Sequence, residues 1–246
     1  MTDLQETLLF PVQDAESRNR FLIACAVMLA AFIIPILPTL VLMGYSARIM
    51  RQVIEERKTP SMPAWQGSDW SEMLIDGLRL WAGQIVLMLP LMILMGFGML
   101  FMMSGSVGFS VFSEKNADSF APIGMSLFII GFLFFGLFAI LSLPYGVVVA
   151  AALPHIAIKR SFQAAFEFKE WFSIFRKALG QFVLGYVVVI AASFVFVFVM
   201  QIAMMTLILI CIVPLIMIPY TAYQMLIMNT VFAQAYAVGQ EGLQRT

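Results

Sequence analysis

GYSARIMRQVIEERKTPSMPAWQGSDWSEMLIDGLRLW, Gly44 to Trp81, is the longest polar interruption in a chain that otherwise reads as hydrocarbon. It carries ten charged residues, from a total of 14 basic and 14 acidic, and three of the four tryptophans. From Tyr45 onward the apolar residues Tyr45, Ile49, Met50, Val53 and Ile54 fall on one helical stripe. Arg48, Arg51, Gln52, Glu55 and Glu56 lie largely off it. Pro60 and Pro63 favour extended backbone, so the helix stops there. A second helix is expected from Asp69, which can cap it, with Glu72 in a capping-box position. Trp70, Met73, Leu74, Gly77, Leu78 and Trp81 then recur on one face, with Glu72, Asp76 and Arg79 off it. The stretch reads as two amphipathic helices hinged at the prolines, an elbow along a membrane surface.

The membrane is implied by everything around it. Of 246 residues, 62% are hydrophobic and 11% charged, and mean hydropathy is +0.96. Soluble domains are about a quarter charged and just under half apolar. Apolar runs of 20 or more residues recur, the signature of membrane spans. The expected fold is all-α and polytopic, with about five spans near residues 21–43, 82–103, 123–153, 182–202 and 204–228. A polar tail (1–20) precedes the single membrane domain (21–239), and a short tail (240–246) follows it. The tail 1–20 reads as mostly loop with room for a short helix near Asp14, and no signal peptide is expected there.

The first segment contains Pro35 and Pro38, so it either spans with a kink or forms a re-entrant pair of half-helices. The run from Ile123 to Leu153, starting just after Pro122, exceeds a bilayer core of about 30 Å, and Pro144 is its expected kink. The run from Gln181 to Met228 would make one helix of about 70 Å, so it is divided into two, with the turn near Gln201 to Thr206. The last span is expected to leave the bilayer as an interfacial helix ending at Gly239. Ala26 with Ala30, and Gly131 with Gly136, are small residues that allow close helix approach.

A second polar interruption, 154–181, repeats the elbow design and contains Trp171. Each elbow carries five Lys or Arg residues, whereas the short loop 104–122 carries only Lys115. Basic residues are retained on the cytoplasmic side, so both elbows are expected inside, in an inner (cytoplasmic) membrane. Five spans put the N-terminus outside, against which Arg18 and Arg20 argue; a re-entrant first segment puts it inside. The four indoles either sit at headgroup level or pack loop against loop.

Zero net charge excludes a nucleic-acid footprint. No apolar span carries an ionisable residue, which argues against ion-coupled transport and intramembrane acid–base catalysis. His155 is the only histidine and reads as a polar residue at a span end. No metal set, cofactor site or nucleophile motif accompanies it. Cys25 and Cys211 read as small buried residues. Glu55, Glu56, Asp69, Glu72 and Asp76 form the largest acidic cluster, read as capping and pairing with Arg51, Arg57 and Arg79.

The quoted stretch resembles the hallmark of a family of uncharacterised prokaryotic multi-pass membrane proteins, the domain of unknown function numbered four thousand and thirteen. Gly44-Tyr45, Arg48, Arg51, Pro63-Ala64-Trp65, Asp69-Trp70 and Asp76-Gly77 match its pattern in order, with Met62 where leucine is usual. LPYGVVVAAALPHIAIKRSFQAAFEF (143–168) and AQAYAVG (233–239) are similar too. The resemblance implies a membrane protein and transfers no activity. The expected function is that of a non-enzymatic scaffold or partner subunit, its elbows binding membrane lipids or other membrane proteins. The alternatives are a permease-like protein handling neutral or amphipathic molecules, motivated by eight prolines in or beside the apolar segments, and an enzyme on lipids using the acidic cluster. The candidate surface comprises Gly44, Tyr45, Arg48, Arg51, Pro63, Trp65, Asp69, Trp70, Asp76, Gly77, Trp81 and Trp171.

Overall fold

A computed structural model describes residues 4–57, 59–112, 117–205 and 213–245. Among these no strand occurs, and the helices are α1 (Leu4–Leu9), α2 (Ala15–Leu29), α3 (Leu37–Glu55), α4 (Trp70–Phe112), α5 (Ala117–Ala150), α6 (Ala152–Lys159), α7 (Phe168–Lys177), α8 (Leu179–Met204) and α9 (Val213–Gln244). Short 3-10 turns cover Ala30–Phe32, Gly67–Asp69 and Phe162–Phe166. Four stretches are long and apolar enough to cross a membrane: Gly67–Val107, Pro122–Lys159, Leu179–Ile202 and Leu215–Gln244. In three of these, less than a fifth of the most apolar window is buried within the protein. Side chains so apolar and so uncovered need hydrocarbon around them, and the chain is a membrane protein.

Five spans were expected, and the difference lies in residues 21–43. The segment is not one helix. α2 ends at Leu29, and α3 begins only at Leu37, with Pro38 in its first turn. Pro35 falls in the break, where its missing donor and its ring forbid a continuous ladder. In residues 1–20 the helix allowed near Asp14 is the start of α2, while the expected loop before it holds α1 (Leu4–Leu9). Asp14 caps α2 by accepting from the Ser17 amide at 2.6 Å, and Phe10 is buried. The short loop expected at 104–122 also shrinks: α4 runs on to Phe112 and α5 starts at Ala117, so Pro122 lies inside a helix. Part of the turn expected near Gln201 to Thr206 lies outside the described residues, as do Lys58, Lys115 and Cys211.

The chain divides into two compact units. One, residues 85–149, is an antiparallel hairpin of α4 and α5. A Cβ on Gly131 would stand 2.8 Å from the Gly98 carbonyl oxygen, and one on Gly105 would stand 2.7 Å from that of Gly124. Glycines seven residues apart on each helix thus let the backbones touch. Gly131 contributes as expected, but Gly136 meets nothing, and Ala26 and Ala30 are exposed.

The other unit, residues 1–84 with 150–246, is built around α3 and α9. α3 is buried on nearly every side from Leu40 to Ile54. It is a core helix, not the surface half of an elbow. α9 meets α1, α2, α3, α6, α7 and α8. Its stretch from Leu226 to Ala237 is mostly buried, where an interfacial exit was expected. Gly239 does not end α9, which continues to Gln244. A Cβ there would lie 2.6 Å from the Ile174 carbonyl oxygen, so the glycine instead admits α7 against the helix. The N-terminal helix docks on α9: the Tyr223 hydroxyl donates to the Leu8 carbonyl at 2.7 Å, and the Gln234 amide donates to the Thr7 hydroxyl at 2.9 Å.

Candidate functional site

Most of the residues singled out in the sequence meet where α3 crosses the start of α4. Both helices have a glycine at the crossing. A Cβ on Gly44 would stand 1.7 Å from the Met73 carbonyl oxygen, and one on Gly77 would stand 1.8 Å from that of Leu40. No side chain fits either position, so backbone lies directly on backbone.

Charged side chains clamp the two ends. Arg51 pairs with Asp76 at 2.6 Å, with only 9% and 4% of the two side chains exposed. Asp76 also accepts from Arg79 at 3.0 Å, and Arg51 donates to the Ala157 carbonyl on α6 at 3.3 Å. Arg48 pairs with Asp69 at 2.8 Å, and Arg160 with Glu72 at 2.7 Å. Breaking a buried pair by removing one partner costs about 3–5 kcal/mol, whereas the exposed Arg160–Glu72 pair is worth about 0–1 kcal/mol. Of the acidic cluster, Asp69, Glu72 and Asp76 thus hold helices together. Glu55 and Glu56 stay at the exposed end of α3.

The connecting loop folds back on α3 through its aromatics. The Tyr45 hydroxyl donates to the Pro63 carbonyl at 2.7 Å, and the Tyr45 ring stacks on Trp65 at 4.1 Å. Burial pushes the Tyr45 phenol above its ordinary value, which keeps it a neutral donor. Trp65 donates from its indole nitrogen to the Arg20 carbonyl at 3.1 Å, and Arg20 in turn donates to the Met62 carbonyl.

The α4 face read from the periodicity is rotated in the structure. Met73, Asp76, Gly77 and Leu80 are buried, while Trp70, Leu78 and Trp81 are exposed. Asp76 points inward because the buried side faces Arg51, and the indoles of Trp70 and Trp81 are left uncovered. Trp171 belongs to neither group. It is 3% exposed in α7, donates to the Ala165 carbonyl at 3.3 Å and packs beside Phe168 and Phe172. Trp65 and Trp171 therefore pack inside the protein, and Trp70 and Trp81 alone are turned outward.

The structure also assembles a cluster that the sequence reading missed. His155, read as a polar residue at a span end, is 2% exposed. Its Nδ1 lies 2.7 Å from the Tyr236 hydroxyl and its Nε2 lies 2.8 Å from Glu167 Oε2. A carboxylate only accepts, so the Nε2–H tautomer serves both partners: Nε2 donates to Glu167 and Nδ1 accepts from Tyr236. Glu170 Oε2 stands 3.8 Å from Nε2. The ligand atoms of His155, Glu167 and Glu170 lie within 4.8 Å of one another, a spacing that suits a divalent cation. The Lys159 ammonium already stands 3.0 Å from Glu170 and 3.5 Å from Glu167, supplying that positive charge. The cluster ties α6 to α7 and α9. Its one sequence signal is a pair of glutamates three residues apart beside the only histidine, twelve and fifteen positions on.

The family model described as "Protein of unknown function (DUF4013)" matches residues 27–208. The chain belongs to that family. The match takes in every motif residue at the crossing, while the AQAYAVG segment falls beyond it. None of the curated proteins and none of the solved structures matches the chain.

Gly77→Ala drives a methyl group into the Leu40 carbonyl, and overpacking of this kind costs about 1–3 kcal/mol or more. The variant is expected to melt well below the parent in detergent, whereas Gly136→Ala, which meets nothing, melts with it. The hydrogen bond from His155, with Lys159 beside it, holds the Glu167 carboxyl below its ordinary value of 4.5. Its stabilising contribution is present above that value and is lost as the pH falls through the lower, folded one. Melting temperature measured from about pH 6 to pH 3 is expected to fall less steeply in Glu167→Gln than in the parent.

Proposed function

We propose that this family member is a non-enzymatic scaffold of a prokaryotic inner membrane, seated by α7 on the anionic lipids of the cytoplasmic leaflet. One observation carries the reading. The inward face of α7, with Trp171, Ile174 and Phe175, is buried, while its outward face interleaves exposed Phe168 and Phe172 with exposed Lys169, Arg176 and Lys177. Among the described residues none of these three cations has an ion-pair partner. Phenylalanine wedged among free cations is the chemistry of a helix lying at an anionic surface, where each cation contributes about 1 kcal/mol. Trp70 and Trp81 add two outward indoles at the start of α4, the ring type enriched at headgroup level. The clamping of Asp69, Glu72 and Asp76 by arginines favours a structural role for the acidic cluster over a catalytic one.

With four spans both ends of the chain lie on the cytoplasmic side, in keeping with ten basic residues in the two long interruptions against one in the short loop. The docking of α1 on α9, and of Arg20 on the loop at Met62 and Trp65, supports the re-entrant reading of residues 21–43 and removes the conflict at Arg18 and Arg20.

Two measurements test this. A reporter fused ahead of Met1 is expected to be active on the cytoplasmic side; activity on the opposite side contradicts the topology. Mass spectrometry of lipids that accompany the protein out of a native membrane is expected to show anionic phospholipid depleted in Lys169→Gln/Arg176→Gln/Lys177→Gln, at unchanged melting temperature. An unaltered lipid profile removes α7 as the seat.

A further inference from the structure

The α3–α9 unit contains a groove lined by both methionines and amides. It has a volume of about 350 Å³ and lies between the first turns of α3, the start of α4 and the middle of α9. That is within the usual range of small-molecule sites, about 300–1,000 Å³. Its walls include Met43, Met225 and Met228, unbranched side chains that adapt to irregular apolar shapes. Among the described residues no ionised side chain lines it.

Three primary amides line this groove, and one of them, Gln224, already donates to the Ser193 hydroxyl at 2.6 Å. Asn229 is only 5% exposed, and among the described residues no group pairs with its amide. Gln84, half-buried across the groove on α4, is likewise without a partner among them. An asparagine so placed brings two donors and an accepting carbonyl that only an occupant of the groove can serve. Polar groups buried in this way are almost always hydrogen-bonded, and hydrocarbon around a membrane helix offers nothing in return. Thr221, also on the lining, is already satisfied within its own helix by the Met217 carbonyl. Of the three amides, Asn229 and Gln84 are the two left without a partner among the described residues, and Asn229 is the more deeply buried.

We propose that this groove binds an uncharged amphiphile of the diacylglycerol class, its hydroxyl and ester oxygens on the amides of Asn229 and Gln84 and its chains along the methionine wall. The absence of lining charge excludes a phosphate-bearing headgroup as the preferred occupant, because an anion brought there would lose water and find no cation. An amide answers both a hydroxyl hydrogen and an ester oxygen, so one occupant satisfies donors and acceptors together. The inference goes beyond the scaffold role: it concerns a different lipid class, at a site on the opposite side of α9's sequence from the residues that meet α7.

The test uses the full chain in nanodiscs with a trace of diacylglycerol bearing a photoactivatable group in one acyl chain. A phosphatidylcholine probe with identical chains serves as the control. The diacylglycerol probe is expected to label peptides covering residues 220–229 and 81–84 about tenfold more than the control, the preference one well-made polar contact supplies. Labelling is expected to fall by a similar factor in Asn229→Leu and in Gln84→Leu. Equal labelling by the two probes in the parent protein overturns the proposal whether or not the variants fold. So does labelling that both variants leave unchanged.

Discussion

Direct contact between the backbones of α3 and α4 is the constraint on which the larger unit depends. Gly44 and Gly77 each face a carbonyl oxygen at a distance that no side chain could occupy. This contact alone would be weak, since apolar helices gain little from each other in a medium as apolar as themselves. The Arg51–Asp76 pair gives it an energetic and geometric lock. Two charges withdrawn from water must find each other, and the helices can satisfy them only in this register. Arg51 reaches α6 through the Ala157 carbonyl, and Glu72 reaches Arg160 just past the end of α6. The re-entry of the chain after α5 is therefore tied to the same crossing. From there the His155 cluster carries the fold to α7 and α9.

This arrangement changes the meaning of the family motif. Gly44-Tyr45, Arg48, Arg51, Pro63, Trp65, Asp69 and Asp76-Gly77 are spaced as they are because each performs one operation in closing a helix–loop–helix upon itself. The glycines allow contact, and Arg48 with Asp69 and Arg51 with Asp76 fix the register. Tyr45 and Trp65 fold the proline-bearing loop back over α3. A pattern of this kind is a signature of architecture. The groups that it leaves uncovered or unpaired among the described residues include the outward face of α7, the two exposed indoles of α4, and two amides in the groove beside α9.

Much of this was legible in the sequence, and the limits have physical causes. Length and apolarity identify spans because a bilayer demands about 20 apolar residues whatever their order. The proline break after α2 was legible as an alternative, since Pro35 removes a donor that nothing local replaces. Helix faces were not legible, because the rule that apolar residues point inward assumes water outside. In α4, Trp70, Leu78 and Trp81 point outward while Asp76 is buried. The same assumption made the polar dots along α9 look like an exit from the membrane, when Thr230, Gln234 and Tyr236 are core residues: Thr230 is satisfied within α9 by the Leu226 carbonyl, and Gln234 and Tyr236 have partners on other helices. His155 was unreadable for another reason: its partners lie twelve and 81 positions away, and only the tertiary fold brings them to one ring.

A double-mutant cycle across the crossing tests the lock most directly. Unfolding free energy in detergent would be measured for the parent, Arg51→Met, Asp76→Leu and the double variant. Asp76→Leu leaves Arg51 buried without its carboxylate and is expected to cost about 3 kcal/mol or more; Arg51→Met leaves Asp76 with Arg79 alone and costs less, while the double change, leaving an apolar pair, recovers most of the Asp76→Leu loss. Additive losses, with the double variant as unstable as the sum of the singles, would contradict the account.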